Sequence, residues 1–371
     1  MGYEINYENG ISNRGNLTRI KSVMKRAMAG EKIVLGFLGG SITHGSLATK
    51  PTLCYAYHVY EWWKSAFPQA EFVYVNGGIG GTTSQFGVAR VEDDILKYDP
   101  DFVIIEFSVN DDSNAHFLET YEGLVRKVYS FKKKPAVMLV HNVYYHNGGN
   151  AQIEHAKVAR HYDLPAVSMQ SSIYPEVVCG KIPNRAITPD DLHPNDTGHA
   201  LVASVITYAL EKIKKEADVA EETEKPYPLP LTENGYENSV RYQNYNCAPV
   251  CAGFIKDEAP QKEIADCFKN GWFAKEAGDS IEFEVEGCGI SVQYKKSVKQ
   301  PAPVAKVVVD GKEEDTCLLD ANFDETWGDK LELDTITEHT PFGKHHVKIT
   351  ILDSEKKAVV PFYLVSVIAA K

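Results

Sequence analysis

Residues 33–43 read IVLGFLGGSIT, an apolar run that ends in two glycines and Ser41. A short apolar run of this kind is typical of a strand buried on both faces of a parallel sheet. Glycines after the strand permit a tight turn, which places Ser41 at the carboxyl edge of the sheet, where open α/β folds bind their ligands. A serine there acts as a nucleophile or contacts a phosphate group, and residues 190–194, DDLHP, supply the acid and base that a nucleophile needs. The two stretches together favour a serine hydrolase.

Apolar strand-like runs alternate with segments of helical spacing up to about residue 215. Strands are predicted at 33–38, 72–75, 102–107, 136–140 and 165–168, and helices between them at 54–66, 84–97, 117–132 and 153–162. A first helix ending at Gly30 and a last helix that follows residues 195–197, NDT, which can cap it, complete the pattern. The alternation predicts an α/β domain over residues 1–215, with a parallel sheet covered by helices on both faces.

The pattern changes after a charged stretch at 216–230, which ends in three prolines and which we interpret as a linker. Beyond it, Ile281, Phe283 and Val285 alternate with glutamates, as expected for a strand with one buried face. Further strand-like runs follow at 290–294, 304–309, 347–352 and 362–368. Short strands at this spacing, without helices, predict a β-sandwich (jelly-roll) domain over residues 231–371.

Composition narrows the classes of partner. The formal net charge of -12 over 371 residues disfavours nucleic acid and anionic membranes as partners. The amino terminus has no signal-peptide pattern and no run is long enough for a membrane span, so we expect a cytoplasmic protein. Among the seven cysteines the closest pair, Cys247 and Cys251, lacks partners at metal-binding spacing, and we expect neither a metal nor a cofactor. The oligomeric state stays open, with a homodimer as one option.

Four short blocks carry polar residues, and each is expected to fall just after a predicted strand. They read GGSIT at 39–43, NGGIGGTTS at 76–84, SVND at 108–111 and DDLHP at 190–194. Their order and contents resemble the SGNH (GDSL-like) hydrolases, a family of esterases and lipases, over about residues 30–215. The resemblance implies a flavodoxin-like three-layer α/β/α fold and ester hydrolysis through an acyl-enzyme. Two blocks differ from the usual family motifs. No aspartate precedes Ser41, and Ser108 replaces a glycine. Neither change removes a catalytic group.

The resemblance assigns a catalytic triad to Ser41, His193 and Asp190. The histidine would accept the serine proton, and the aspartate would hold the imidazole tautomer and stabilise the imidazolium. Asp191 is the neighbouring alternative to Asp190. We favour Asp190 because a carboxylate three residues before the histidine can curl back to the far ring nitrogen.

The resemblance also assigns an oxyanion hole. Its donors would be the backbone N–H groups of Ser41 and Gly81 and the side-chain amide of Asn110. Gly80 is the alternative to Gly81, and a turn-capping role is the alternative for Asn110.

The GGSIT block, the carboxy-terminal sandwich and the expected cytoplasmic location resemble carbohydrate esterase family 17. These are intracellular acetylmannan esterases with an appended carbohydrate-binding-module-like domain. The resemblance implies removal of O-acetyl groups from manno-oligosaccharides, with an acetylated oligosaccharide as the expected partner and a second domain that takes part in sugar binding. Trp327, an aromatic residue in a polar loop, is a candidate sugar contact, with core packing as its alternative. His44, near Ser41, is a second candidate, with a structural role as its alternative.

Other functions stay open at this point. The same machinery could act on a lipid or thioester acyl chain. A flavodoxin-like protein would hold a flavin phosphate in its first loop, and a sugar-binding module would have no catalysis, but neither function uses Asp190 and His193. The histidines at 141, 146, 155 and 161 are predicted to lie in loops or on helix surfaces.

Overall fold

The computed structural model describes residues 3–217, 223, 226–354 and 356–371. The chain divides into two compact units, Met1–Asn234 and Gly235–Lys371. Much of the predicted linker, 218–222 with 224 and 225, lies outside the described residues.

The segment that follows the linker belongs to the first unit. The backbone N–H groups of Leu231 and Thr232 donate to the carboxylate of Glu122, at 2.5 and 2.7 Å. The second compact unit begins at Gly235, four residues after the start at residue 231 that the sequence predicts for the sandwich domain.

The described residues of the first unit form one sheet. Its strands in the described residues are β1 (Ile11–Asn13), β2 (Lys32–Gly39), β3 (Glu71–Gly78), β4 (Phe102–Glu106), β5 (Ala136–His141) and β6 (Ala166–Ser168). They are arranged β1-β6-β5-β4-β2-β3. Strands β2 to β6 are parallel, and β1, which the sequence did not predict, pairs antiparallel with β6 at one edge. The parallel strands thus have the flavodoxin-like order 2-1-3-4-5.

Helices cover the sheet. In the described residues they are α1 (Thr18–Met28), α2 (Ser41–His44), α3 (Tyr55–Ala66), α4 (Ser84–Asp94), α5 (Ala115–Tyr129), α6 (Gln152–His161), α7 (Met169–Val178), α8 (Asn184–Ile187) and α9 (Asp196–Lys215). Of the three residues at 195–197 that could cap α9, Asn195 does so, since its Oδ1 accepts from the N–H of Gly198 at 3.0 Å. None of the helices within the described part of the chain has the length and apolar character needed to cross a bilayer.

The continuous apolar run of β2 is explained by burial on both faces. From Ile33 to Gly39 every residue of the strand is buried. Ile33, Leu35 and Phe37 share a core with residues of α1, α3 and α9. On the opposite face α4 packs against the same strand. The predicted three-layer α/β/α arrangement is confirmed.

The strand order creates a crevice at one edge of the sheet. Strand β2 lies between β3 and β4, so the connections leaving β2 and β3 run to opposite sides. In such sheets ligands bind at this reversal, beyond the carboxyl ends of the strands. The blocks at 39–43, 76–84 and 108–111 follow β2, β3 and β4, and they therefore meet at the crevice.

The second unit consists of antiparallel strands. In the described residues these are β7 (Val240–Tyr242), β8 (Val250–Ala252), β9 (Ile255–Lys256), β10 (Trp272–Ala274), β11 (Ser280–Gly287), β12 (Gly289–Lys296), β13 (Val304–Val309), β14 (Cys317–Asp320), β15 (Lys330–Thr337), β16 (Gly343–Ile351) and β17 (Phe362–Ala370). One sheet runs β15-β12-β17-β10-β9, with β7 also on β17, and the other runs β14-β13-β16-β11-β8.

The two sheets enclose a shared core. Trp272 from one sheet packs edge-to-face on Phe283 from the other, with ring centroids 5.3 Å apart. Phe283, Ile281 and Val285 are buried in β11, as their alternation predicted. The prediction of a carboxy-terminal β-sandwich is confirmed.

Candidate active site

Ser41 occupies the first position of the one-turn helix α2, directly beyond β2. Gly40 joins the two elements, and the N–H of Gly45 donates to the carbonyl of Ser41 at 3.0 Å. Gly45 ends the helix with φ +97°, a left-handed conformation that favours glycine. Ser41 is 7 % exposed, so its hydroxyl is held in a defined place at the carboxyl edge of the sheet.

Arg90 of α4 fixes the ends of the two strands that flank this turn. Its Nη2 donates to the carbonyl of Gly39 at 3.0 Å, and its Nη1 donates to the carbonyl of Gly77 at 2.6 Å. The guanidinium is fully buried and pairs with Asp94 at 2.7 Å. No role for Arg90 was predicted from the sequence, although a cation within the apolar stretch 86–91, FGVARV, was the available signal.

Ser41, His193 and Asp190 form one hydrogen-bonded chain. Nε2 of His193 lies 2.8 Å from Oγ of Ser41, and Nδ1 of the same ring lies 2.6 Å from Oδ2 of Asp190. The three residues come from α2 and from the loop between α8 and α9. The geometry is that of a nucleophile, a base and an orienting acid.

Asp190 is stabilised as a carboxylate. Partial burial raises its pKa, but the hydrogen bonds from the His193 ring and from the backbone N–H groups of His193 and Leu192 outweigh this and hold the pKa below its usual range. The acid therefore stays ionised while it accepts from the imidazole.

The carboxylate of Asp191 pairs with Arg185 and not with His193. Its carboxylate receives both Nη atoms of Arg185 at 2.8 Å, and its φ of +69° turns the chain sharply after Asp190. The hydrogen bond from Arg185 lowers the pKa of Asp191. Of the two aspartates weighed from the sequence, the structure places Asp190 against His193.

The side chain of Asn110 and the β3–α4 loop both approach the nucleophile turn. A Cβ atom on Gly40 would lie 2.3 Å from Oδ1 of Asn110, so only glycine lets this amide approach the turn so closely. A Cβ on Gly80 would lie 3.7 Å from Cβ of Ser41, which places the β3–α4 loop beside the serine. Gly81, with φ +68°, has the left-handed conformation that glycine supplies. The choice between Gly80 and Gly81 as donor stays a prediction.

A layer of buried polar groups lies beneath the site. Glu106, at the end of β4, accepts from Oγ of Ser108 at 3.3 Å and from Oγ1 of Thr43 at 3.4 Å. Thr43 Oγ1 also lies 2.8 Å from the hydroxyl of the buried Tyr55. Complete burial raises the pKa of Glu106 to about 7.

Two of the histidines predicted to lie in loops or on helix surfaces belong to this layer of buried polar groups. His141 ends β5 and His155 lies on α6, and both are fully buried. Burial lowers the pKa of each to about 3, so both imidazoles are neutral. Val158 and Ala159, three and four residues after His155, are buried on the same helix face, and this spacing was the signal that the sequence analysis missed.

The two candidate sugar contacts lie on the surfaces of their units. His44 is exposed at the end of α2, and its backbone N–H donates to the carbonyl of Gly40 at 3.0 Å. Trp327 is 63 % exposed in the loop between β14 and β15, with its ring edge-to-face on Phe323 at 5.2 Å. Trp327 is not a core residue, so the packing alternative weighed from the sequence is wrong for this residue.

A serine hydroxyl, an imidazole and a carboxylate in this order, at the reversal point of a flavodoxin-like sheet, define the class of the serine hydrolases. Residues 37–201 match the model of the GDSL-like lipase/acylhydrolase family. Two solved structures of a two-domain esterase active on acetylated mannans resemble the chain throughout. One, co-crystallized with mannopentaose, is 66 % identical with a TM-score of 0.96, and the match covers 100 % of this chain and 99 % of that one. The other is 66 % identical with a TM-score of 0.97, and the match covers 99 % of each chain.

The chain belongs to the GDSL-like lipase/acylhydrolase family, as the four blocks predicted, and the prediction of an esterase is confirmed. None of the curated proteins matches the sequence at a significant level.

Proposed function

We propose that this protein removes O-acetyl groups from acetylated manno-oligosaccharides through an acyl-enzyme on Ser41. The observation that carries the proposal is the 66 % identity, over the full length of both units, to an esterase active on acetylated mannans. The hydrogen-bonded chain of Ser41, His193 and Asp190 supports the chemistry.

In the first step the Oγ atom of Ser41 attacks the acetyl carbonyl carbon. Nε2 of His193, 2.8 Å from Oγ, takes the hydroxyl proton, and Asp190 stabilises the imidazolium that results. The imidazolium then protonates the sugar oxygen, the bond between that oxygen and the acetyl carbon breaks, and acetyl-Ser41 remains. In the second step His193 deprotonates a water molecule that attacks acetyl-Ser41, and acetate leaves as Oγ regains its proton.

The tetrahedral intermediate of each step carries a negative oxygen. The proposed donors to it are the N–H groups of Ser41 and Gly81 and the amide of Asn110. Fixed donors of this kind act mainly on the transition state and therefore raise kcat.

The test is proton NMR of acetylated mannan and xylan oligosaccharides with and without the protein. Loss of acetyl signals from the mannan and growth of free acetate are expected, and the Ser41→Ala protein is the control. A second arm compares p-nitrophenyl esters from acetyl to octanoyl, and rates should collapse beyond butyryl. Faster hydrolysis of the longer esters, with no deacetylation of sugars, would favour the lipid or thioester alternative.

Trp327 is the proposed sugar contact of the second unit, because a large aromatic ring exposed in a polar loop offers a flat apolar face to a sugar. Trp327→Ala should raise KM for acetylated manno-oligosaccharides by about three- to tenfold, as for the loss of one aromatic contact of about 1 kcal/mol. p-Nitrophenyl acetate kinetics should not change. Phe342, 62 % exposed in the same unit, provides the matched control Phe342→Ala. Equal effects of the two variants would remove Trp327 from the sugar site.

A further inference from the structure

Asp111 is buried directly after Asn110, and its two carboxylate oxygens have different partners. Oδ1 accepts from the backbone N–H of Ser84 at 2.8 Å, and Oδ2 lies 3.0 Å from Nε2 of His155. Ser84 begins α4, so one side chain joins the loop after β4 to the start of α4 and to α6. The mechanism above gives Asp111 no part.

The two loops that Asp111 joins are those that carry the proposed oxyanion donors. Gly81 lies in the β3–α4 loop, three residues before Ser84, and Asn110 lies in the β4–α5 loop, one residue before Asp111. The hydrogen bond from Ser84 to Asp111 therefore links the two loops that carry these donors. Displacement of a catalytic group by about 1 Å costs on the order of a hundredfold in rate.

His155 holds the second oxygen of Asp111 in a fixed place. Its ring is stacked on Tyr121 of α5, with centroids 3.5 Å apart and planes inclined by 3°. Burial lowers the pKa of His155 to about 3, so the ring is neutral, and its Nε2 shares a hydrogen bond with Oδ2 of Asp111. Both ring and carboxylate are fully shielded from water, and the bond between them is protected from competition by solvent.

The start of α4 adds an electrostatic contribution. The N–H groups at a helix N-terminus carry partial positive charge and favour a carboxylate. Asp111 is thus hydrogen-bonded to a backbone amide and to a neutral imidazole, and burial raises its pKa to about 7.

We propose that Asp111 is a positioning residue that sets the spacing between Gly81 and Asn110 and so shapes the oxyanion hole. The inference rests on the proposed function, because the hole has a role only if Ser41 is acylated.

The first experiment compares Asp111→Ala with Asp111→Asn on p-nitrophenyl acetate. The alanine variant should lower kcat by about ten- to a hundredfold with little change in KM, since the donors act on the transition state. The asparagine variant should recover most of kcat, because its Oδ1 accepts from Ser84 and its amide group donates to Nε2 of the neutral His155 ring. An asparagine variant as slow as the alanine variant, at a restored melting temperature, would overturn the proposal.

Asp101 provides a matched control at the opposite end of β4. It is as buried as Asp111, and its Oδ2 also accepts a backbone N–H, that of Val34, at 2.8 Å. Asp101→Ala should lower the melting temperature and leave kcat unchanged. If Asp101→Ala lowers kcat as much as Asp111→Ala does, the loss reflects general destabilisation and the proposal fails.

A double-mutant cycle separates positioning from an independent effect. Asn110→Ala should lower kcat by about 10² to 10³ if its amide donates to the oxyanion. In that background Asp111→Ala should cost less than about threefold, because the donor that it positions is already missing. Losses that multiply in full would show that Asp111 does not act through Asn110, and a loss below about fivefold for Asn110→Ala alone would remove Asn110 from the hole.

A backbone variant tests the same bond without altering Asp111, and it serves if Asp111→Ala does not fold. Ser84→Pro deletes the N–H that Asp111 accepts, and proline suits the first position of a helix. Thr83, with φ -104° and ψ 172°, already has the extended conformation that precedes proline. Ser84→Ala is the control, since it removes only the contact between Oγ and Thr120 at 2.7 Å. The proline variant should lose about tenfold or more in kcat relative to the alanine variant, and equal kcat values would overturn the proposal.

The two proposals fail in different ways. Wild-type protein that hydrolyses no ester would refute the proposed function and this inference with it. Active wild-type protein, inactive Ser41→Ala and unimpaired Asp111→Ala would refute this inference alone.

Discussion

The two ends of strand β4 bury carboxylates in opposite ways. At the amino end, Asp101 receives two cations, Nη1 of Arg26 at 2.6 Å and Nζ of Lys133 at 2.9 Å. The hydrogen bond to Asp101 raises the pKa of Arg26. At the carboxyl end, Glu106 and Asp111 meet hydroxyls, a backbone amide and a neutral imidazole, and burial raises the pKa of each to about 7.

The two ends of β4 therefore differ in the purpose that their buried carboxylates serve. Ion pairing at the amino end satisfies the charge of Asp101, and removal of one partner of such a pair is costly. The carboxyl end holds carboxylates in surroundings that penalise their charge, as is common at functional sites. We infer that the carboxylate at the amino end stabilises the fold. The carboxylates at the carboxyl end lower the stability of the fold but hold polar groups in fixed places around Ser41.

The largest expected effect is that of Ser41→Ala at the carboxyl end. Hydrolysis should fall by about 10⁵-fold or more, because no other group replaces the nucleophile. Labelling by a fluorophosphonate should disappear while the melting temperature stays within about 1 °C of the wild type. Ser46→Ala, in the loop just after the same helix, is the control and should remain active. Residual labelling of Ser41→Ala would locate the nucleophile elsewhere.

Asp190→Asn should rank second. The amide cannot hold the proper tautomer of His193, and kcat should fall by about 10³- to 10⁴-fold. Asp191→Asn weakens the pair with Arg185 and should cost less than about tenfold, since exposed pairs of this kind contribute little. Steady-state kinetics on p-nitrophenyl acetate distinguishes the two variants. The reverse ranking would reassign the acid to Asp191.

Glu106→Gln and Asp101→Asn should change stability in opposite directions. The folded pKa of Glu106, about 7, lies above its usual value of 4.5, so the folded protein keeps a proton that the unfolded chain has lost between these values. The contribution of Glu106 is therefore fully present below about pH 4.5 and is lost as the pH rises through about 7. Glu106→Gln should stabilise the first unit by about 1 to 3 kcal/mol near pH 8 and by much less near pH 5.

Asp101→Asn should destabilise the protein near pH 8, because Arg26 and Lys133 lose a charged partner. Urea unfolding followed by helical circular dichroism measures both variants in the first unit, where the helices α1 to α9 lie. If both substitutions destabilise equally at both pH values, the contrast between the two ends of β4 is wrong.

The smallest expected effect is that of a chelator. A bound cation would offer another way to neutralise Glu106 and Asp111, but no cluster of three or more metal-ligating side chains occurs among the residues that the structure describes. EDTA should leave kcat and the melting temperature unchanged. Inactivation that zinc reverses would replace the triad mechanism with a metal-dependent one.

The groups that could be predicted are those whose signal lies within one short stretch of sequence. The apolar run before Ser41 and the spacing from Asp190 to His193 both lie within single stretches, and the structure brings the three side chains together. Buried Arg90, His155 and Asp111 escaped prediction because the contacts that define their roles come from other elements. Arg90 donates to carbonyls at two strand ends, and His155 and Asp111 contact each other across the fold. Strand β1 was missed for a related reason, since a three-residue strand has too short a pattern to show a period.

The contact between Glu122 and the residues after the linker has a practical consequence for dividing the gene. A catalytic fragment cut at residue 215 would lack Leu231 and Thr232, and the carboxylate of the buried Glu122 would lose the amides that it accepts from. A cut between Asn234 and Gly235 keeps the hydrogen bonds from Leu231 and Thr232 to Glu122. When sandwich domains are exchanged between related esterases, the junction should therefore lie between Asn234 and Gly235. The proline-rich stretch at 226–230 is the more obvious place to cut, but it lies several residues too early.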